Sequence, residues 1–173
     1  LGLCSAIVTN IGNDDTGKAN LEALKAEGVD TTFVDVHRGR LTNNHFVLRH
    51  KEERTILVNH EAYDYEMPNI GSPKYIYLSS IGEEAFSFHK KVTDYLSVHP
   101  DTKLAFQPGT FQIKLGYKKL QHVYETSELF FCNLEEAQRI LETTEEDIKV
   151  LLKEMFDRGP NIVVITDGPK GAY

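Results

Sequence analysis

Two cysteines in 173 residues are too few for a disulfide framework. Cys4 and Cys132 both lie next to apolar runs and read as buried, reduced thiols, which points to the cytosol. No apolar run approaches the ~20 residues that cross a bilayer, and no basic-then-apolar leader opens the chain. The expectation is a soluble, cytoplasmic protein with no membrane partner. Positive charge is scarce too: 19 Lys and Arg stand against 26 Asp and Glu, a formal charge of -7. Such a chain has no field for a phosphate backbone, so a nucleic-acid partner is disfavoured and any anionic ligand has to be held locally. There is no repetitive tract, and charge of mixed sign makes up 26% of the residues, which excludes a disordered or fibrous chain.

Several chemistries are missing as well. There is no Gly-x-Ser-x-Gly elbow, and neither cysteine has the setting of a nucleophile. The Thr166 to Gly171 turn lacks the lysine-serine or lysine-threonine pair of a P-loop, and the first strand is not followed by a dinucleotide glycine fingerprint. Seven histidines, with His45, His50 and His60 clustered in number, match no metal-binding spacing and read as solvent-facing.

What is present is an alternation. Hydrophobic residues are 40% of the chain, enough for one domain or part of one. Apolar strands are expected near Ala6 to Asn10, Thr32 to Val36, Tyr75 to Leu78, Lys103 to Phe106, Leu129 to Cys132 and Ile162 to Thr166. Amphipathic helices fill the gaps, which predicts an α/β fold with a mostly parallel sheet and helices on both faces. Thr16 to Glu27 forms one helix, with Gly28 as its stop. Ser80-Ile81-Gly82-Glu83 has capping-box form before the next. Thr143 or Thr144 is expected to cap the last, with Ile148, Leu151, Leu152 and Met155 on its inner face.

One segment interrupts the alternation. Thr32 to Val36, His45 to Arg49 and Arg54 to Val58 follow one another through polar turns at Arg38-Gly39-Arg40 and Lys51-Glu52-Glu53. Consecutive strands on short turns are antiparallel, so a small β flap is expected at about 31–60. Both ends read as cuts: Leu1-Gly2-Leu3 as the end of a helix, Ala172-Tyr173 as the start of a strand.

In an open parallel sheet, ligands bind outside the carboxyl ends of the strands. Ser79, Ser80, Gln107 to Thr110, Asn133 to Glu136 and Thr166 to Gly171 all follow expected strands. Asn133 with Glu136 has the spacing of a helix cap, which is the better reading of the spacing alone; the alternative is a pair that faces the crevice and organises magnesium through waters beside phosphates. Thr166, Gly168 and Gly171 form either a plain turn or a close backbone approach to a nucleotide.

Taken in order, the motifs resemble a known pattern. Gly12-Asn13-Asp14-Asp15-Thr16-Gly17 is followed by Leu24 and Gly28-Val29-Asp30, then Glu53-Arg54-Thr55-Ile56 and Gln107-Pro108-Gly109-Thr110-Phe111-Gln112. Asn133 and Glu136 then give Asn-x-x-Glu, and Thr166, Gly168 and Gly171 give Thr-x-Gly-x-x-Gly. Over essentially all of its length the chain resembles the middle of a ribokinase-like (PfkB) carbohydrate kinase. The resemblance implies one partial kinase domain over 1–173 with a β lid, and transfer of the ATP γ-phosphoryl group to a hydroxymethyl oxygen of a sugar or nucleoside. It implies ATP and Mg2+ as cofactors, with Thr166, Gly168, Gly171 and Asn133 on the nucleotide and Glu136 and Asn133 serving the metal. The family's Gly-Ala-Gly-Asp segment, which supplies base and anion hole, does not occur in the sequence, so the base is expected beyond Tyr173 and the 173 residues alone are expected to be inactive. Gln107 replaces the family's usual Asn. Self-association is expected through the flap or an exposed sheet edge. The residues taken without the resemblance also fit a non-catalytic nucleotide- or metabolite-binding Rossmann-like module.

Overall fold

The computed structural model describes residues 2–50 and 53–173. They form two compact units, Leu1–Ile70 and Gly71–Tyr173. The helix end read at Leu1 and the turn read at Lys51-Glu52 lie outside the described residues.

In the first unit, β1 (Thr9–Gly12) and β2 (Val34–His37) pair in parallel, with α1 (Asp15–Ala26) between them in sequence. The strand expected from Ala6 starts at Thr9, since Ala6 makes only an isolated bridge to Asp30. Asp14 caps α1, its Oδ1 accepting from Gly17 N at 2.9 Å. The same carboxylate accepts from Thr42 N at 3.0 Å and from Thr42 Oγ1 at 2.6 Å. Thr42 Oγ1 in turn accepts from Gly12 N at 3.0 Å. These hydrogen bonds, Thr42 Oγ1 first, hold the Asp14 carboxyl below the usual carboxylate range. The clasp closes only because two residues have no side chain. A Cβ on Gly12 would lie 2.2 Å from the Arg40 carbonyl oxygen, and one on Gly17 would lie 2.2 Å from that of Gly12.

β3 (Asn44–His50) and β4 (Glu53–Asn59) then form an antiparallel hairpin. The flap is therefore two-stranded. The run from Thr32 to Val36, expected to join it, pairs in parallel with β1 instead. A crossover helix brings that run back beside β1, whereas the antiparallel expectation considered only the turn that follows it. Phe46, Leu48, Ile56 and Val58 of the hairpin are all exposed.

In the second unit, β5 (Tyr75–Leu78), β6 (Lys103–Phe106), β7 (Ser127–Asn133) and β8 (Ile162–Thr166) make a parallel sheet in that order. A 3-10 turn (Glu83–Ala85) and α2 (Phe86–Ser97) follow β5. α3 (Thr110–Leu115) and α4 (Tyr117–Thr126) follow β6, and α5 (Leu134–Leu141) and α6 (Ile148–Phe156) follow β7. Leu104, Phe106, Leu120, Tyr124, Phe130, Leu151, Met155 and Ile165 are buried between these elements. Phe106 meets Tyr124 and Phe130 edge-on, at centroid distances of 5.5 and 5.9 Å. Each such side chain stabilises the unit by about 1.5–3 kcal/mol.

Two caps differ from expectation. Gly82, not Ser80, precedes the 3-10 turn, and no side chain caps it. Asp147, not Thr143 or Thr144, caps α6, its Oδ1 accepting from Lys149 N at 2.8 Å. Thr143 Oγ1 instead accepts from Glu145 N within a local turn, which delays the helix. Cys4 is exposed rather than buried, because the residues around it join no strand. Cys132 is buried as expected, and burial pushes its thiol up to about 12.

Candidate functional site

All four strands of the second unit end on one side, and their last residues form a rim. Ser79 and Ser80 leave β5, Gln107 leaves β6, and Asn133 and Thr166 close β7 and β8. Gln107 N donates to the Leu78 carbonyl at 3.0 Å, and the Tyr77 hydroxyl donates to Gln107 Oε1. Asn133 and Thr166 are register partners on neighbouring strands. That pairing sets them roughly 4.8 Å apart, one strand spacing.

Asn133 and Glu136 make a complete capping box. Asn133 Oδ1 accepts from Glu136 N at 2.9 Å and Glu136 Oε2 accepts from Asn133 N at 2.9 Å. Capping and ligand binding are compatible here, since the box uses one oxygen of each side chain and Asn133 is exposed at the rim. The box leaves Glu136 Oε1 to accept from waters around a hard cation and Asn133 Nδ2 to donate to an anion.

After Thr166 the chain turns through a 3-10 segment (Gly168–Lys170) and comes back. Asp167 N donates to the Gly171 carbonyl at 2.9 Å, and Ile165 and Tyr173 exchange both backbone hydrogen bonds at 3.0 Å. Gly168 has φ +50° and Gly171 φ +109°, conformations that side chains disfavour. No atom would lie within 4 Å of a Cβ at either position, so the backbone faces open space. Lys170 pairs with Asp167 at 3.0 Å, and that hydrogen bond holds its ammonium group above the usual range.

The structure therefore brings Asn133, Glu136, Thr166, Gly168 and Gly171 to adjoining strand ends, with Ser79, Ser80 and Gln107 further along the same edge. Sequence reading missed the Tyr77–Gln107 pair and the buried Gln112 and His89 behind the rim. Gln112 had one signal, its place three residues after Gly109 at a helix start. A hollow of about 320 Å³ lined by Thr93, Ser97, Thr102 and Lys103 lies at the amino end of β6, away from this edge.

Comparison with known proteins gives concordant results. The family model described as pfkB family carbohydrate kinase matches residues 1–173. An uncharacterized sugar kinase of Archaeoglobus fulgidus is 24% identical over 183 residues, covering 100% of this chain and 70% of that protein. Among solved structures, the PfkB protein from Polaromonas sp. JS666 superposes with a TM-score of 0.78 at 15% identity, over 99% of this chain and 63% of that one. Fructokinase from Vibrio cholerae O395 gives 0.76 at 18% identity, over 98% and 62%. An E. coli protein described as a ribokinase II, solved in complex with ATP and Mg2+, gives 0.73 at 18% identity, over 99% and 59%. The chain thus spans about three fifths of the length of these solved proteins.

Proposed function

The chain belongs to the pfkB family of carbohydrate kinases, and from that premise we propose that a protein built on it transfers the γ-phosphoryl group of ATP to a hydroxymethyl oxygen of a sugar or nucleoside. The observation that carries this reading is the pairing of Asn133 with Thr166 at the ends of adjacent parallel strands, beside a turn whose glycine backbone faces open space. On this reading the Thr166 to Gly171 turn lies along the nucleotide, and Asn133 and Glu136 hold the waters around Mg2+ and the phosphates. The oxygen-rich pair and the unobstructed glycine backbone fit those groups. Mg2+, when bound, neutralises charge on the phosphates.

This chain's own part is binding and orientation. The capping box fixes Asn133 and Glu136 in one rotamer each, so their free polar atoms need not be ordered when a ligand arrives. The Asp167–Lys170 pair and the hairpin return to Tyr173 hold the glycine turn in place. No Gly-Ala-Gly-Asp segment occurs in the sequence, so the 173 residues are proposed to bind nucleotide without turning it over.

Calorimetric titration with Mg·ADP tests the binding claim directly, with saturable binding expected and its absence fatal to the reading. A coupled assay with ribose, fructose, 2-keto-3-deoxygluconate and adenosine tests the second. Turnover of any of these by the isolated chain would show that the base lies within it.

A further inference from the structure

Behind the rim lies a buried polar cluster that the proposed reaction does not use. Gln112 on α3 and His89 on α2 are each 1% exposed. Gln112 Oε1 accepts from Gly109 N at 3.0 Å, and its Nε2 donates to the Ile81 carbonyl at 3.2 Å. The same Nε2 lies 3.5 Å from His89 Nε2, while His89 Nδ1 lies 3.0 Å from the Phe86 carbonyl. A carbonyl only accepts, so Nδ1 carries the imidazole proton and Nε2 is left as an acceptor facing the Gln112 amide. That choice fixes which way the carboxamide points, with oxygen toward Gly109 and nitrogen toward Ile81. The two loops it joins are in contact: a Cβ on Gly109 would lie 1.9 Å from Ser80 Oγ. One buried side chain thus satisfies backbone groups in the loops after both β5 and β6.

We propose that Gln112, oriented by His89, is a positioning residue that locks the Ser80–Ile81 loop to the Gln107–Gly109 loop and so places the part of the rim next to the transferred phosphoryl group. The proposal rests on the reading of the β7 and β8 ends as the nucleotide side. The strand order places the loop after β6 next to Asn133 along the edge, so with the Thr166 turn on the nucleotide and Asn133 on its phosphates, the phosphate chain would run toward that loop. Gln112 touches no ligand in this arrangement; it acts through the two loops.

The experiment compares Mg·ADP with Mg·AMP-PNP, a non-hydrolysable ATP analogue, on the 173-residue chain. Calorimetry is run on wild type, Gln112→Met and Gln112→Glu. Met fills the site without polar atoms, whereas Glu keeps the acceptor for Gly109 and loses the donor to Ile81. Gln112→Met is expected to weaken AMP-PNP by about tenfold and ADP by less than about twofold, with Gln112→Glu between wild type and Met. Equal loss for both probes, or no loss for either, overturns the positioning role. A merely structural role would not separate the two probes.

Nitrogen NMR supplies the arm that needs no nucleotide. His89 is expected as the Nδ1–H tautomer in wild type, and in Gln112→Met the Gly109 amide is expected to exchange faster while those of β7 and β8 do not. An Nε2–H tautomer, or an unchanged Gly109 amide, overturns the clamp whatever the titrations give. Should Gln112→Met fail to fold, Gln112→Glu carries the titrations and the His89 tautomer of the wild-type chain carries the NMR arm. A wild-type chain that binds neither probe while showing the expected tautomer removes the nucleotide reading, and the positioning role with it, but leaves the clamp standing.

Discussion

Gly12 and Gly17 in the first unit have no positive φ and no room, since a Cβ on either would come within 2.2 Å of a backbone oxygen. Gly168 and Gly171 in the second have positive φ and nothing within 4 Å. The first pair is required by packing, because Asp14 and Thr42 close around it. The second is required by backbone shape, and the space beside it is open. Two glycines close together in a sequence can thus mark a closed junction or an open edge, and only the surroundings tell which.

Substitution separates the two cases. Gly12→Ala is expected to have the largest effect on stability, about 3 kcal/mol, because its neighbour is backbone and cannot turn aside. Denaturant unfolding checks it, and a variant as stable as wild type would break the comparison. Gly168→Ala and Gly171→Ala are each expected to cost about 1–2 kcal/mol through backbone strain. Their larger signature is in Mg·ADP titration, where affinity falls by more than the stability loss explains. Unchanged affinity would make this turn a turn and nothing more.

Asn133 sharpens the contrast. Asn133→Ala removes the cap of α5 and is expected to lower stability by about 1 kcal/mol. Asn133→Ser keeps a capping oxygen, so stability changes by only a few tenths of a kcal/mol. If Asn133 also serves the phosphates, Asn133→Ser still weakens Mg·ADP, whereas a cap alone leaves the titration curve unchanged.

The smallest effects are those of pH, and they differ between the units. Burial, with a smaller contribution from nearby His122, holds the His89 pKa below its ordinary value, and burial followed by Lys90 does the same for His122. A folded-state pKa that is depressed means the unfolded chain binds the proton more readily, so stability declines as pH falls below about 6.5. The Asp14 carboxyl is lowered as well, and its contribution is present above its ordinary value and lost as pH falls through about 3.8 and below. Unfolding followed by probes in each unit is expected to show the second unit weakening first on acidification. Asp14→Asn is expected to flatten only the lower step.

Much of this was readable in one dimension. Tyr75–Leu78, Lys103–Phe106 and Ile162–Thr166 form strands residue for residue as their apolar runs predict. The Asn133–Glu136 cap follows from spacing alone, because both partners lie within one helical turn. The misreadings have both local and distant causes. Ser80 and Thr143 have the right residue types for caps, yet Ser80 packs on Gly109 and Thr143 bonds within its own turn. The alternation in Thr32 to Val36 signals a strand and says nothing about its partner, and that partner is β1.

The order of residues by itself determined where strands and helices run, which glycines end turns, and which family the motifs resemble. The first two depend on a backbone and its near neighbours, over distances a few residues long, and the third on the order of such local motifs along the chain. Tertiary structure alone decided that Thr166 stands beside Asn133, that Gln112 reaches Ile81 across 31 positions, and that Thr42 closes on Asp14 across 28. Such meetings are set by how elements pack, and packing is a property of many distant residues at once, which no local spacing encodes.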